Sequence, residues 1–344
     1  MTTTRTLRLI AISILSIGLL PITDLAPASG ATASPYGVMV SGASNDPARV
    51  ASAIDLGAHW VRLNYELGGP QSDPQHFLDA GVDVVLTITN NDPTNVITTY
   101  GTPAQYPHAG FPYVARDRYV AAVQKVVQAL HPRVGHHVWV QCENEINDAS
   151  LAPNSPDWRG TTNQYLTLLG ACRTAVKRAD ARSRVVLAGM QSESLDAAIN
   201  PANLHHGFAA DRLSRLLNSP AYNVVDLHFY GCVETIPAKV AWIKARMRAG
   251  TSWISTEDAG PDPRCATTPI TWRDARFEST QAAQVTRRLT TCAAQGGRIC
   301  LWFSLRDLRG ETDVFNHLGL IDSHSNPWRQ RPAYDAFQRL TGAV

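Results

Sequence analysis

The sequence predicts a (β/α)8 TIM barrel, an α/β fold filling a single domain over residues 34–344. Short β-branched runs alternate with amphipathic helical stretches, the pattern of parallel strands joined by crossover helices. Gly57, Gly81, Gly250 and Gly296-Gly297 each stand where a helix should stop before the next strand. The first strand runs into Ser41-Gly42-Ala43-Ser44-Asn45, which lacks the GxGxxG turn of a doubly wound open sheet, so the closed barrel is preferred.

In chain order, the polar start carries Arg5 and Arg8, and an apolar run from Leu9 to Leu20 is stopped by Pro21. That run is shorter than the roughly 20 residues a membrane-crossing helix needs. Ala31-Thr32-Ala33 supplies a small-residue cleavage pattern, so residues 1–33 are expected to be a signal peptide and the mature protein to be secreted, free of the membrane. Eight strands are predicted: Tyr36 to Val40, Trp60 to Asn64, Val82 to Thr89, His137 to Cys142, Arg184 to Gly189, Val224 to Tyr230, Ser252 to Thr256, and Arg298 to Ser304. Asp46-Pro47 opens the first helix. Tyr119, Val123, Val126, Val127 and Leu130 share one helix face, as do Tyr165, Leu168, Leu169, Cys172 and Val176.

A net charge of +2 and the absence of any basic run argue against nucleic acid or an anionic membrane surface as partner, and an uncharged substrate fits better. A monomer is expected. All six cysteines fall after residue 33, and export permits disulfides. Cys232 and Cys265 each follow one of two strands predicted to lie side by side, so they are expected to pair. Cys172, on an apolar helix face, reads as a small buried hydrophobe.

The longest irregular stretches, Asn90 to Pro112, Asn147 to Gly160 and Asp258 to Arg273, follow the C-terminal ends of strands, where barrels of this kind place their sites. At that rim the fourth strand ends in Gln141-Cys142-Glu143-Asn144-Glu145 and the seventh in Trp253-Ile254-Ser255-Thr256-Glu257. Two opposed carboxylates suit glycoside cleavage, one protonated to assist the leaving oxygen and one ionised to attack the anomeric carbon. Strict alternation would put Glu143 and Glu145 on one side and turn Asn144 away. That Asn144 and Glu145 face the same way does not follow from this spacing; only a bulge or turn at the strand end would allow it. His228 and Tyr230, two apart, share a side of the sixth strand with Asp226. Trp302 and Phe303 point opposite ways, so only one of them can line a pocket. Asp258 is taken to face outward or into its loop.

These residues resemble clan A of the glycoside hydrolases, whose members carry Asn-Glu at the end of strand four and a glutamate at the end of strand seven. Asp226-Leu227-His228-Phe229-Tyr230, Trp158-Arg159-Gly160-Thr161 leading to Tyr165, Leu301-Trp302-Phe303-Ser304, and Arg331-Pro332-Ala333-Tyr334 are similar to stretches of bacterial family 39-like retaining enzymes. The resemblance runs from about the second strand onward. It implies that Glu145 is the acid/base, Glu257 the nucleophile and Asn144 a ligand of the neighbouring sugar hydroxyl. It further implies that Arg62 sits near the nucleophile, and that His228, Tyr230 and Trp302 contact substrate. The chain departs from the family where Ile146 replaces the usual proline after the acid/base. The expected function is retaining hydrolysis of a β-linked oligo- or polysaccharide, with no cofactor and no metal, since the paired histidines His136-His137 and His205-His206 lack an HExxH pattern. The alternative is a secreted carbohydrate-binding barrel without catalysis.

Overall fold

The computed structural model describes residues 34–40, 46–69, 72–147, 156–265, 267, 269–308, 310 and 313–344. The expected signal peptide, the loop 41–45 and most of the loop after the fourth strand (148–155) lie outside the described residues.

Eight parallel strands close on themselves in chain order: β1 (Tyr36–Met39), β2 (Trp60–Glu66), β3 (Asp83–Thr89), β4 (Val138–Cys142), β5 (Arg184–Val186), β6 (Val224–Phe229), β7 (Ser252–Asp258) and β8 (Cys300–Trp302). The ring is sealed by β1 pairing with both β2 and β8. Helices α1 (Pro47–Asp55), α2 (Gln75–Asp79), α3 (Arg116–Gln128) and α4 (Thr162–Ala179) fill the first four crossovers. A helix pair, α5 (Ser192–Ile199) and α6 (His206–Leu217), joins β5 to β6, and α7 (Ile236–Lys244) and α8 (Phe277–Ala294) complete the crossovers. After β8 come a two-residue hairpin, β9 (Ile321–Asp322) with β10 (Arg329–Gln330), and α9 (Pro332–Thr341). The (β/α)8 barrel is therefore observed.

Local chemistry sets the helix ends. The Asp46 side chain accepts from Ala48 N (2.9 Å) with Pro47 in the first turn, and Thr161 and Gln164 form a reciprocal capping box at the start of α4. Gly57, Gly81, Gly250 and Gly296 all have positive φ, between 64° and 87°, which lets the chain reverse into the next strand without a Cβ clash.

The floor of the barrel interior is apolar. Trp60, Val85, Trp139, Val186, Ile254 and Leu301, among others, form an inner cluster separate from the one between strands and helices, with Trp60 and Trp139 in edge contact at 5.2 Å. On β2, β3, β4, β6 and β7 the inward residues two positions further along are polar (Arg62, Thr87, Gln141, Asp226 and Thr256), so the interior changes character towards the C-terminal rim.

Three disulfides are present: Cys142–Cys172, Cys232–Cys265 and Cys292–Cys300. The expected Cys232–Cys265 pair is observed. Cys172 corrects the reading above: it is buried, but it is bonded to Cys142, because the last residue of β4 turns outward onto the apolar face of α4.

Candidate active site

Two local departures from regular strand geometry build the site. At the end of β4, Glu143 (φ 69°) and Glu145 (φ 34°) both adopt left-handed backbone, which breaks the alternation and puts Asn144 and Glu145 together on the cleft wall. Glu143 is directed away and is fully buried, with Oε1 accepting from Asn90 N at 2.9 Å. A Cβ on Gly110 would lie 1.8 Å from its Oε2, so Gly110 makes the space that the side chain occupies. On β7 the register slips by one residue against both neighbours: Asp226 faces Ile254 and His228 faces Glu257, while Ser255 and Asp258 face Cys300 and Trp302. This bulge turns both Thr256 and Glu257 into the barrel and sends Asp258 out to Arg288 of α8 at 3.0 Å.

A belt of hydrogen bonds lies above the apolar floor. Arg62 Nε donates to Thr87 Oγ1 (2.9 Å), Thr87 Oγ1 to Gln141 Oε1 (2.5 Å), and Gln141 Nε2 to Asp226 Oδ2 (2.6 Å). Asp226 also accepts from Thr256 N (2.9 Å) and Thr256 Oγ1 (2.5 Å). The belt links five strands and fixes the groups that rise from it into the cleft.

Above it the two carboxylates converge, with one oxygen each of Glu145 and Glu257 within 4.8 Å of one another. Arg62 Nη1 donates to Glu257 Oε1 and Tyr230 OH to Glu257 Oε2 (2.5 Å), while Arg62 Nη2 donates to Asn144 Oδ1 (2.6 Å). His228 Nδ1 lies 2.6 Å from Glu145 Oε1, and its Nε2 is 3.3 Å from Asp226 Oδ2. Burial would push the Glu257 carboxyl up. The His228 charge, the Arg62 guanidinium and the Tyr230 hydroxyl outweigh it and hold the group below the ordinary carboxylate value. Burial alone would depress His228. Glu257, Asp226 and Glu145 outweigh that and carry the imidazole up to about 10, so it is a cation at neutral pH.

The cleft encloses about 500 Å³ and is lined in part by Asn144, Glu145, Tyr230, Glu257, Phe303 and Phe315. Of the residues expected at the site, Glu145, Glu257, Asn144 and Tyr230 line it, and Arg62 and His228 hold the carboxylates from beneath. Trp302 does not line it. Leu301 joins the inner cluster, so Trp302 faces the helix layer at 0 % exposure with Nε1 bonded to Leu318 O, and Phe303 takes the wall position. Sequence reasoning also missed Asp157, a wall residue hydrogen-bonded to Asn144. Burial, with the charges of Glu145 and Glu257 adding to it, raises the Asp157 carboxyl to about 7. Its position directly before the Trp158-Arg159-Gly160 motif was the available signal. Arg264, paired with Asp262 and Glu193, closes one side, and the Cys232–Cys265 disulfide fixes the residue next to it.

In sequence, the chain matches no protein-family model and no curated protein. Solved structures do share its fold. A variant of the GH5_18 protein of Streptomyces cattleya in complex with Manβ1-4GlcNAc aligns with TM-score 0.59 at 18% identity, covering 90% of this chain and 80% of that one. An exo-β-1,4-mannosidase of Opitutaceae bacterium strain TAV5 aligns at 0.56 and 15%, covering 90% and 59%. A glucosidase of Croceicoccus marinus aligns at 0.57 and 15%, covering 89% and 66%. This chain thus spans somewhat under two thirds of the mannosidase and the glucosidase, and what it shares with these structures is the (β/α)8 barrel.

Proposed function

We propose that this protein is a secreted retaining glycoside hydrolase that cleaves a β-linked oligo- or polysaccharide. The observation that carries this reading is the approach of Glu145 and Glu257 to within 4.8 Å at the C-terminal rim. About 5 to 5.5 Å between such groups suits direct attack by one of them, whereas inversion needs a wider gap for a water. The β-linked sugars named for the structural neighbours support the substrate class, as does the resemblance to family 39-like enzymes.

In the first step a Glu257 oxygen bonds to the anomeric carbon as the bond to the leaving oxygen breaks, and Glu145 delivers its proton to that oxygen. In the second, Glu145 takes a proton from water, whose oxygen displaces Glu257 and regenerates both groups. Arg62 and Tyr230 keep Glu257 ionised and aimed between turnovers. The His228 imidazolium balances the charge left on Glu145 once its proton is given. Asn144, anchored by Arg62, meets the hydroxyl beside the scissile bond, and Phe303 and Phe315 offer apolar faces to sugar rings.

The test is reducing-end release from a panel of β-glycans by the mature protein beside Glu145→Gln and Glu257→Gln. Cleavage that each substitution lowers by at least about a thousandfold supports the reading. Glycan binding without cleavage across the panel would make the protein a carbohydrate-binding barrel instead.

A further inference from the structure

The N-terminal end of the barrel, opposite the cleft, gathers cations that are scattered in the sequence. Two hollows of about 410 and 440 Å³ adjoin there and share Arg182 and Arg184. The first is lined also by Arg173, Lys177 and Arg248, the second by Arg133 and Arg298. The sole carboxylate lining either, among the described residues, is Asp180, 3.5 Å from Arg182. So much positive charge on one face of a chain whose net charge is +2 leaves the remainder net acidic.

Arg182 alone of these cations forms an ion pair, with Asp180, among the described residues. Arg173 Nη1 is buried without a hydrogen-bond partner, and Arg184 rests over the Trp139 ring, 5.2 Å from its centroid. Burial and the charges of Arg173 and Arg184 depress Lys177 against the opposing pull of Asp180, and burial together with Arg298 depresses Arg184. Lys177 and Arg248 hydrogen-bond to backbone carbonyls, which orders the side chains without supplying an opposite charge. A set of fixed, mutually repelling cations is relieved by an anion that enters between them.

We propose that this face binds a linear polysaccharide carrying sulfate or phosphate esters, at a site separate from the catalytic cleft. Two adjoining hollows offer seats for successive anionic groups of one chain, which a lone anion would not fill. The hollows are concave, with Arg173 and Lys177 half-buried within them, so a flat bilayer surface would meet only their rims. Trp139 and Tyr222, which line them, are buried and offer a nucleobase no free ring face, and the exposed ring beside them is the smaller imidazole of His137. Binding here would leave the cleft at the other end of the barrel facing away from the anchoring polymer.

The experiment measures binding of fluorescent dextran sulfate to the mature protein at 50 and 200 mM salt. Neutral dextran, single-stranded DNA, vesicles rich in phosphatidylglycerol and inorganic sulfate serve as comparisons. Affinity for dextran sulfate should fall about tenfold or more between the two salt concentrations, as contacts to several anionic groups require. The Arg173→Ser/Arg184→Ser/Arg248→Ser variant should lose at least about tenfold. A control with the same charge change on exposed residues elsewhere, Arg118→Ser/Arg276→Ser/Arg287→Ser, should stay within about twofold. Arg182→Glu, at a side chain 90 % exposed and so tolerated by the fold, should by itself weaken binding about threefold or more. Equal losses in the patch and control variants, or no effect of Arg182→Glu, would overturn the site. Tighter binding to DNA or vesicles, or inorganic sulfate binding as tightly as the polymer, would overturn the assignment of its ligand.

Discussion

The Glu257 carboxylate owes its ionised state to three groups, of which the His228 charge is the largest opponent of burial. Replacing His228 with asparagine removes that charge, so the Glu257 pKa should rise. The acid limb of kcat/KM should then move to higher pH by about one unit, and an unmoved limb would remove His228 from the electrostatics of Glu257. Glu143 tests the opposite sign. Its burial carries the carboxyl from the ordinary 4.5 to about 8, and Oε2 has no hydrogen-bond partner. A raised folded-state value means that the stabilisation is fully present below 4.5 and is lost as pH rises towards 8, at about 1.4 kcal/mol per unit. Denaturant unfolding of Glu143→Gln at pH 5 and pH 8 should therefore show the variant gaining on the parent by roughly 3 kcal/mol over that span. Parallel pH dependences would contradict the burial argument. At this scale the sequence marked both carboxylates and the groups around them, because strand ends at one rim converge by topology. Trp302 and Phe303 could not be ordered without the strand register, and Asp157 arrives from a loop whose path no periodicity encodes.

At the scale of elements, all eight strands lie where β-branched runs and helix-stopping glycines placed them. The turn at the end of β4 was required by the side chains it had to present, and the positive φ of Glu143 and Glu145 meets that requirement. The β7 bulge left no such trace. Read by simple alternation from Thr256, Glu257 would face the helices, and only the slipped pairing with β6 and β8 turns it inward. Nor did composition disclose that Cys172 reaches Cys142, since an apolar helix face suits a thiol and a disulfide equally. Gly189, just beyond β5, is shaped around the site: a Cβ there would lie 2.1 Å from His228 Nε2. Gly189→Ala should push the imidazole off its seat and reproduce the pH shift of His228→Asn. The double variant should shift no further than either single one, since both act through the same ring. Additive shifts would show that the glycine matters for another reason.

Over the whole molecule, the barrel separates two kinds of surface that the linear sequence mixes. An apolar floor, a polar belt and a carboxylate rim succeed one another along the axis, and the opposite end collects cations from α4, β5 and the segments entering β4, β7 and β8. The sequence lacks a basic run, and that argued against nucleic acid or an anionic membrane surface as partner. The fold brings those residues together from distant positions, which no local count of charge detects. The proposed catalytic cleft and the cation-rich face thereby lie at opposite ends of the barrel, so each can be altered without the other. The central claim is that Glu257 attacks the sugar. Its most direct test is mass spectrometry of the protein incubated with an activated 2-deoxy-2-fluoro glycoside of the sugar it cleaves, which slows release of a covalent intermediate. The account predicts one added glycosyl group, on the peptide holding Glu257 and absent from Glu257→Gln. Turnover with no adduct, or an adduct on Glu145 or Asp157, would contradict it.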